Sequence, residues 1–563
     1  MKPNFDQPPN AASPDPSVTT DKTDQTLSYA KGAGRVDFRI FGPSLLIILT
    51  VAVPLSLDPS FGQVMVQNTH SFITKYFGWI FMWVPVLCLA LILGLIIGRY
   101  GDIKLGDPDD KPEFSYFAWI SMLFCCGVGS SSIVWGVCEP IYYLSAPPLG
   151  LEPGSIAAYE TALALPIFHW GLSAWSIYAV SAVGLAYSLF VRKNPELRLS
   201  GACEGLIGRK AARSWGGVAL EILVVIGSVG GFGASLGLGV PFVAEFVASS
   251  FNVPNNLWLK AGVIAVWTLI FSLSVFRGLA RGMQYLSKLN IWLALGVLAF
   301  VFLAGPSLFT LETLTNSMGR LFNNFFALSF SIEPFNLAVD PEAGNSVRNS
   351  GFPQNWTVFY WCWWIALAPI SGIFLGRISR GRTIRQALIG ITVWGSFGCA
   401  LTLGILGAYS IHLQYTGLLD VSALLNEYGT GPTAAKVLMH LPQAKFLVPV
   451  YILLAMVFLA TTLDAAAFSL AAICTRSIRG DQQPARWHRL LWALVLGGFS
   501  MGILITGGDD SRSLQTVQTS AVAAGLPLLL GLAAMVWALL KNLKNYSQGH
   551  PEEQNAAGRN QEK

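Results

Sequence analysis

Long apolar stretches alternate with short polar connections along most of this 563-residue chain. A helix needs about 20 mainly apolar residues to cross roughly 30 Å of hydrocarbon. Twelve membrane spans are predicted on this basis, with approximate cores at 42–58, 77–98, 116–145, 165–191, 217–250, 257–276, 286–305, 356–376, 387–412, 446–473, 488–506 and 518–540. The pattern predicts an all-α integral membrane protein with one transmembrane domain over residues 41–540.

Composition excludes a soluble globular protein, since 53% of the residues are hydrophobic and only 12% are charged. Basic residues concentrate in three connections, at 192–213, 377–385 and 476–489. Lys and Arg are retained on the cytoplasmic side of a membrane protein. We therefore expect a multi-pass protein of the bacterial inner membrane with both termini in the cytoplasm. The net charge of +5 reflects this topology and does not indicate a nucleic-acid partner.

The polar ends of the chain are predicted to be tails. Residues 1–40 are rich in Pro, Asp, Ser and Thr and predict a disordered cytoplasmic tail, and 541–563 predict a short one.

The stretch 306–334 alternates apolar and polar residues with a helical period, which predicts an amphipathic helix at the outer interface. Most of the eight cysteines lie within spans without a CxxC pair, so we expect no disulfide.

Two spans contain residues that a regular membrane helix avoids. The third reads Cys-Cys-Gly-Val-Gly-Ser-Ser-Ser over 125–132, and the eighth reads Ala-Leu-Ala-Pro-Ile-Ser-Gly over 366–372. Inverted-repeat transporters unwind the equivalent helix of each repeat and bind substrate and ions there, whereas a single such stretch is explained by close helix packing. The matched pair predicts unwinding at both places and a five-plus-five inverted repeat, with spans 3–7 and 8–12 as the halves and spans 1 and 2 peripheral.

Residues 355–364 place four tryptophans and a tyrosine in ten positions: Asn-Trp-Thr-Val-Phe-Tyr-Trp-Cys-Trp-Trp. The face of a Trp ring attracts a quaternary ammonium group, although an interfacial aromatic belt has a similar composition. In the fourth span, Trp175 and Tyr178 share a helical face through their i, i+3 spacing, with Trp170 at its border. The two spans together favour a binding site for a trimethylammonium compound.

Residues 355–364 resemble the signature of the betaine/choline/carnitine transporter family, and the similarity continues through 377–383. Further similar segments are Trp135-Gly-Val-Cys-Glu-Pro140, Phe168-His-Trp-Gly171, Ser235-Leu-Gly-Leu-Gly239 and Tyr285-Leu-Ser-Lys-Leu-Asn290. The resemblance covers nearly all of the hydrophobic core. It implies a five-plus-five inverted repeat, secondary active transport by alternating access, no enzymatic activity, no cofactor beyond a coupling ion, and a homotrimer surrounded by membrane lipid.

The resemblance also implies roles for individual residues. The family's aromatic box corresponds to Trp170, Trp175, Tyr178, Trp363 and Trp364, with Tyr142 nearby. The backbone from Gly127 to Ser132, which includes Ser131, would donate N–H groups to a substrate carboxylate. Trp356 and Tyr360 lie outward of the box, where they would form a transient site on the substrate's path.

The substrate is predicted from the unwound part of the third span. Choline-type members of the family tend to carry an aspartate at the position of Ser131, so serine favours a zwitterion such as glycine betaine or carnitine. Choline and dimethylsulfoniopropionate remain open alternatives. Residues 140–155 are especially similar to the carnitine/γ-butyrobetaine antiporter branch, which favours carnitine.

The coupling ion is predicted from a second set of positions. Sodium-coupled members bind Na⁺ at positions that correspond to Cys125, Val128, Thr461 and Thr462; ordinary helix back-bonding is the alternative role for the threonines. Antiporters carry an arginine where Asn290 stands and a methionine near Ser371. Both departures favour a sodium-coupled symporter over a sodium-independent exchanger.

Few ionisable residues lie within the spans. They are Glu139, Glu221, Glu245 and Asp464, with His169 as a candidate partner. Glu139 and Glu221 lie near span ends, where we expect contact with water, and the other two carboxylates are expected to form structural hydrogen bonds.

The chain has no HExxH motif and no nucleophile elbow, which argues against an enzyme. The paired helix breaks argue against a passive channel.

Overall fold

The computed structural model describes residues 35–57, 59–127, 131–194, 196–277, 284–334, 351–476, 478, 483–507 and 510–547. Within these ranges the secondary structure is helical, and the only extended pairings are isolated β-bridges between Val36 and Thr475 and between Lys104 and Thr383. This agrees with the predicted all-α class.

The helices follow one another as α1 (Phe38–Leu57), α2 (Pro59–Ile97), α3 (Tyr116–Gly127), α4 (Ser131–Ser145), α5 (Ile156–Ala162), α6 (Ala164–Trp170), α7 (Leu172–Ala186), α8 (Trp215–Phe251), α9 (Leu257–Arg277), α10 (Gln284–Ala304), α11 (Ser307–Phe330), α12 (Val358–Ile378), α13 (Ile384–Ile389), α14 (Gly395–Thr416), α15 (Val421–Tyr428), α16 (Thr430–Met439), α17 (Ala444–Ile473), α18 (Arg486–Gly507) and α19 (Asp510–Ser547). Shorter segments are a 3₁₀ turn at Arg99–Asp102, four-residue helices at Leu199–Ala202, Glu204–Ile207 and Arg209–Ala212, and π-helical turns at Tyr187–Val191, Pro353–Thr357 and Gly390–Trp394.

Each predicted span overlaps at least one of these helices. Among the described residues, eight helical segments are long and apolar enough to cross a membrane: Gln67–Ile97, Ile156–Val191, Trp215–Phe251, Gln284–Ala304, Pro353–Ile378, Ile384–Thr416, Ala444–Ile473 and Ala521–Ser547. Shorter apolar helices cover Phe38–Thr50, Tyr116–Cys126 and Leu257–Ile270. A multi-pass membrane protein is therefore supported, while twelve crossings stay a prediction. The amphipathic segment at 306–334 forms α11.

Helix α12 lies at the centre of the bundle. All of its 21 residues are buried, and it packs against α7 on one side and α19 on another. A helix that is apolar all round its circumference is expected in such an interior position. This placement carries the Trp-rich segment into the core of the protein, away from a lipid-facing belt.

The predicted unwinding of the eighth span at 366–372 is wrong, because α12 runs through Pro369 without interruption. Pro369 lacks the N–H that would bond the Ile365 carbonyl, and a membrane helix tolerates such a proline where neighbouring helices support its backbone. The Ser181 hydroxyl donates to the Ala368 carbonyl at 2.8 Å, and the Ser469 hydroxyl donates to the Ile370 carbonyl at 3.2 Å. Side chains from α7 and α17 therefore bond to the backbone around the proline.

In the third span, α3 is described as far as Gly127 and α4 from Ser131 onward. Residues 128–130 between them lie outside the described residues, so the unwinding predicted there stays a prediction. An interruption that the sequence did not predict divides the fourth span. Gly171, with φ −91° and ψ −149°, separates α6 from α7. A Cβ at this position would overlap the carbonyl oxygen of Ile167, so the chain uses a glycine to change direction here.

Charged residues of the connections pair with one another on the side predicted to be cytoplasmic. Arg377 bonds Glu113 at 2.6 Å and Arg380 bonds Asp110 at 3.0 Å, which ties the end of α12 to the segment before α3. Lys193 bonds Asp107 at 2.5 Å. The basic connections that predicted the topology thus also hold the helix ends together.

The described structure extends into both predicted tails, to residue 35 at the N-terminal end and to residue 547 at the C-terminal end. Residues 1–34 and 548–563 lie outside the described residues. Asp37, within the predicted N-terminal tail, is fully buried, and α1 begins at Phe38. At the other end α19 continues to Ser547, seven residues beyond the predicted span.

Candidate functional site

The five aromatic side chains predicted to form a box come together in the structure. We call Trp170, Trp175, Tyr178, Trp363 and Trp364 the aromatic box. Ring centroids of Trp364 lie 4.5 Å from Tyr178, 5.7 Å from Trp175 and 5.7 Å from Trp170. The Trp170 and Trp363 centroids are 5.8 Å apart. Each side chain is at most 4% exposed, so the box is a buried junction of α6, α7 and α12.

The backs of two box rings are fixed by other helices. Gly395 at the start of α14 lies so close to the Trp175 indole that a Cβ there would overlap the ring. The Trp175 Nε1 donates to Cys399 Sγ at 3.4 Å, and the Trp363 Nε1 donates to the Gly231 carbonyl at 3.4 Å. Both indole N–H groups are therefore bonded to residues outside the box.

Such a set of ring faces has the chemistry to bind a methylated cation. Each face attracts a quaternary ammonium through the ring quadrupole, by roughly 2 kcal/mol or more when water is excluded. In this conformation the rings contact one another, so a trimethylammonium group enters only when they separate.

Glu139 supports the box in a way that the sequence did not predict. Its side chain is fully buried in α4, which overturns the expectation that it reaches water. The Trp170 Nε1 donates to Glu139 Oε2 at 3.0 Å, His169 Nδ1 lies 3.3 Å from Oε1, and the Tyr143 hydroxyl donates to the same oxygen. Sequence reasoning identified the carboxylate, but its bond to Trp170 crosses between helices and follows only from the fold.

Tyr142 lies outside the box, in a second aromatic cluster. Among the described residues it has no ring contact with a box member; its ring lies 5.3 Å from Trp356, and its hydroxyl bonds Thr430 Oγ1 at 2.9 Å. Trp135 also packs on Trp356, at 5.9 Å. Tyr360 connects the two clusters, because its ring lies 5.7 Å from Trp170 and 6.3 Å from Trp135. The predicted outward pair, Trp356 and Tyr360, is therefore continuous with the box.

Part of the predicted ion site also comes together. The Thr462 hydroxyl donates to the Cys125 carbonyl at 3.0 Å, which joins α17 to α3. Thr461 and Thr462 also donate to the Phe458 carbonyl, at 2.7 and 3.0 Å, so the back-bonding alternative is present as well. Val128 lies outside the described residues. Gly127 is the last described residue of α3 and Ser131 the first of α4.

Asn290 of α10 lies beside these residues. Its Nδ2 donates to Cys125 Sγ at 3.3 Å, and its Oδ1 is buried with no partner in the described part of the chain. An amide oxygen is a suitable ligand for a hard alkali cation. Clusters of three or more His, Cys, Asp or Glu that could hold a metal are not found in the described ranges.

The other intramembrane carboxylates have structural partners. Asp464 bonds Arg489 at 2.5 Å, and both side chains are buried. Glu245 pairs with Lys436 at 3.1 Å, and Glu221 accepts from the Ser200 N–H at 2.7 Å. Glu221 is also fully buried, contrary to the expected contact with water. These pairings agree with the structural role predicted for Asp464 and Glu245.

Comparison with known proteins decides the family. The model of "BCCT, betaine/carnitine/choline family transporter" matches residues 39–548. The chain belongs to this family. The resemblance seen at 355–364 is thereby confirmed, and the family assignment identifies a transporter.

Two relatives in this family are similar along nearly their whole length. "Uncharacterized transporter YeaV" of Escherichia coli (strain K12) is 33% identical over 459 residues, covering 82% of this chain and 92% of that protein. "Probable glycine betaine transporter" of Desulfitobacterium hafniense (strain Y51) is 32% identical over 532 residues, covering 94% and 99%. A solved Na⁺-coupled sialic acid symporter matches 80% of this chain and 98% of its own at 12% identity and a TM-score of 0.40, which supports no further conclusion.

Proposed function

We propose that this BCCT-family transporter carries quaternary-ammonium zwitterions, glycine betaine or carnitine, by alternating access. The buried aromatic box is the observation on which the proposal rests. Five aromatic rings meet at the core of the bundle through edge-to-face and tilted contacts, and their faces can attract a methylated cation without an ion pair. The similarity to a protein named as a probable glycine betaine transporter supports the same substrate class.

The substrate carboxylate is proposed to meet the backbone near Gly127 and Ser131, the positions to which the family resemblance assigns this role. Backbone N–H groups in an unwound segment favour an anion, and Ser131 carries no charge. A neutral serine there leaves the negative charge to be supplied by the substrate itself. Choline and dimethylsulfoniopropionate are the alternatives, and the choice between betaine and carnitine is left to experiment.

Coupling to Na⁺ is proposed from the oxygens near Cys125. The Cys125 carbonyl and the Thr462 hydroxyl are 3.0 Å apart, and the buried Asn290 amide oxygen provides a third candidate ligand. Oxygen atoms are the ligands that a hard cation prefers. A sodium-independent carnitine/γ-butyrobetaine exchanger is the alternative that Asn290 argues against. A homotrimer in the inner membrane, with both termini cytoplasmic, completes the proposal.

The test is uptake of radiolabelled glycine betaine and carnitine into proteoliposomes, with and without an inward Na⁺ gradient and with and without γ-butyrobetaine inside. Na⁺-driven accumulation in vesicles without internal substrate is expected. In Asn290→Arg, whose guanidinium occupies the cation's place, uptake should become independent of Na⁺, whereas Asn290→Leu should lose the response without gaining independent uptake.

Three results would contradict parts of the proposal. Uptake that ignores Na⁺ and requires internal γ-butyrobetaine would identify an exchanger. Equilibration that never exceeds the external concentration would identify a passive channel. Failure to transport either compound would remove the substrate assignment.

A further inference from the structure

An apolar groove of about 630 Å³ lies between α2 and α19, away from the aromatic box. On α2 it is lined between Val84 and Leu91, and on α19 between Leu529 and Lys544. The α19 lining covers 15 residue steps, or roughly 22 Å at 1.5 Å per residue. This length exceeds half of the roughly 30 Å hydrocarbon thickness, so the groove is long enough for the acyl chain of a lipid in one leaflet.

The groove ends in cations. Lys544 follows Leu540 and Lys541 follows Trp537, each by four residues, and residues four apart share a helical face. Both lysines are exposed. The Arg99 guanidinium reaches the same end of α19, where it donates to Ser547 Oγ at 3.2 Å.

These three cations differ from several basic residues at the neighbouring helix connections, which form ion pairs with carboxylates. Arg377, Arg380, Lys193 and Arg198 pair with Glu113, Asp110, Asp107 and Asp37, respectively. Within the part of the chain that the structure describes, Arg99, Lys541 and Lys544 have no carboxylate partner. The groove itself is lined by apolar residues and these two lysines, without an acidic side chain.

We propose that this groove binds an anionic phospholipid, with an acyl chain between α2 and α19 and the phosphate at Lys541 and Lys544. An apolar channel that ends in unpaired basic residues is complementary to an anionic lipid, and basic pockets between membrane helices bind such headgroups. The positive-inside pattern predicts that the cationic end faces the cytoplasm, which assigns the lipid to the inner leaflet. The proposal does not depend on the transported substrate.

The experiment is native mass spectrometry of the full-length protein in detergent, titrated with dioleoylphosphatidylglycerol or dioleoylphosphatidylcholine. The wild type should retain phosphatidylglycerol selectively. Lys541→Gln/Lys544→Gln should weaken this binding roughly tenfold or more. Ala533→Phe, which fills the exposed groove wall without a change of charge, should weaken it as well. Lys111→Gln/Lys210→Gln removes the same charge from exposed positions outside the groove and should bind like the wild type.

Each arm has a contradicting result. Equal retention of the two lipids would show that the groove does not select an anionic headgroup. An equal loss in Lys111→Gln/Lys210→Gln would indicate attraction to overall surface charge. If Ala533→Phe keeps phosphatidylglycerol but changes the oligomeric mass, a second protein copy occupies the groove and the proposal is wrong.

Discussion

Trp364 is the residue at which the aromatic box converges, since its ring contacts Trp170, Trp175 and Tyr178. A desolvated cation–π contact is worth roughly 2 kcal/mol. Trp364→Ala should therefore weaken glycine betaine binding at least roughly tenfold. Equilibrium binding of radiolabelled betaine to purified protein measures this. Trp258→Ala, at a ring that is 84% exposed, is the control and should bind normally; equal affinity in Trp364→Ala would refute the assignment.

Thr462 tests the ion site at the same scale. Its hydroxyl reaches the Cys125 carbonyl, and Thr462→Ala removes that oxygen while Thr462→Ser keeps it. Loss of one oxygen ligand to a charged group should raise the Na⁺ concentration for half-maximal uptake roughly tenfold in the alanine variant. The serine variant should stay near the wild type. Identical Na⁺ dependence in all three proteins would show that Thr462 is not an ion ligand and only bonds the Phe458 carbonyl of its own helix.

At the residue scale, much of the box could be predicted because ring faces and helical spacing are properties of the sequence. Trp175 and Tyr178 share a face of one helix, and the Trp-rich run supplies the opposite wall. The bond from Trp170 to Glu139 could not be predicted, because it joins two helices whose relative position depends on the whole bundle. The contact of Tyr142 with Trp356 likewise depends on how two helices pack.

Gly171 shows what a single position contributes to an element. It separates α6 from α7, so Trp170 and Trp175 project from different helices toward one box. Gly171→Ala would bring a Cβ onto the Ile167 carbonyl oxygen. Such overpacking typically costs 1–3 kcal/mol, and it should weaken betaine binding through displacement of Trp170. Gly262→Ala, with open space around it, is the matched control. Binding and thermal unfolding should both change in the first variant only; unchanged betaine affinity in Gly171→Ala would contradict the role given to this break.

Helix positions could be predicted because apolar runs are long and their ends are polar, whereas interruptions could not. Pro369 looked like a break, yet α12 continues through it, and the Ser181 and Ser469 hydroxyls donate to the Ala368 and Ile370 carbonyls on either side. The fourth span looked regular, yet it bends at a glycine. Whether a helix breaks depends on hydroxyl donors and close contacts from other helices, which local sequence does not contain.

On the scale of the whole molecule, Asp37 joins three distant parts of the chain. Its carboxylate accepts from Arg39 at 3.1 Å, from Arg198 at 3.2 Å and from Arg476 at 3.1 Å. Burial alone would raise the pKa of Asp37, but the hydrogen bonds from Arg39 and Arg476 and the charge of Arg198 outweigh it and hold the pKa well below its ordinary 3.8. A carboxyl with a depressed folded pKa contributes stability above its ordinary pKa and loses it as the pH falls through the folded value.

Asp37→Asn should therefore destabilise the protein by roughly 2 kcal/mol, because it removes charged hydrogen bonds from a buried site. The difference in Tm from the wild type should stay constant between about pH 5 and about pH 8, since Asp37 is ionised throughout. The control is Asp102→Asn, which breaks the ion pair of Asp102 with Arg385. The Asp102 side chain is 69% exposed, so this substitution should change Tm little. Thermal unfolding followed by fluorescence measures the Tm of each variant. Equal Tm values for Asp37→Asn and the wild type would show that the ion pairs of Asp37 do not stabilise the fold.

Recognition of positive charge by ring faces is the central claim, and one binding measurement tests it directly. Glycine betaine is compared with 3,3-dimethylbutanoate, its isostere with a neutral tert-butyl group, in which carbon replaces the quaternary nitrogen. Both have the same shape and the same carboxylate, so the positive charge of the trimethylammonium group is what distinguishes them. We predict that betaine binds at least roughly tenfold more tightly, and that this ratio falls in Trp364→Ala. Equal affinity for the two compounds would contradict the account, because the box would then recognise shape and not charge.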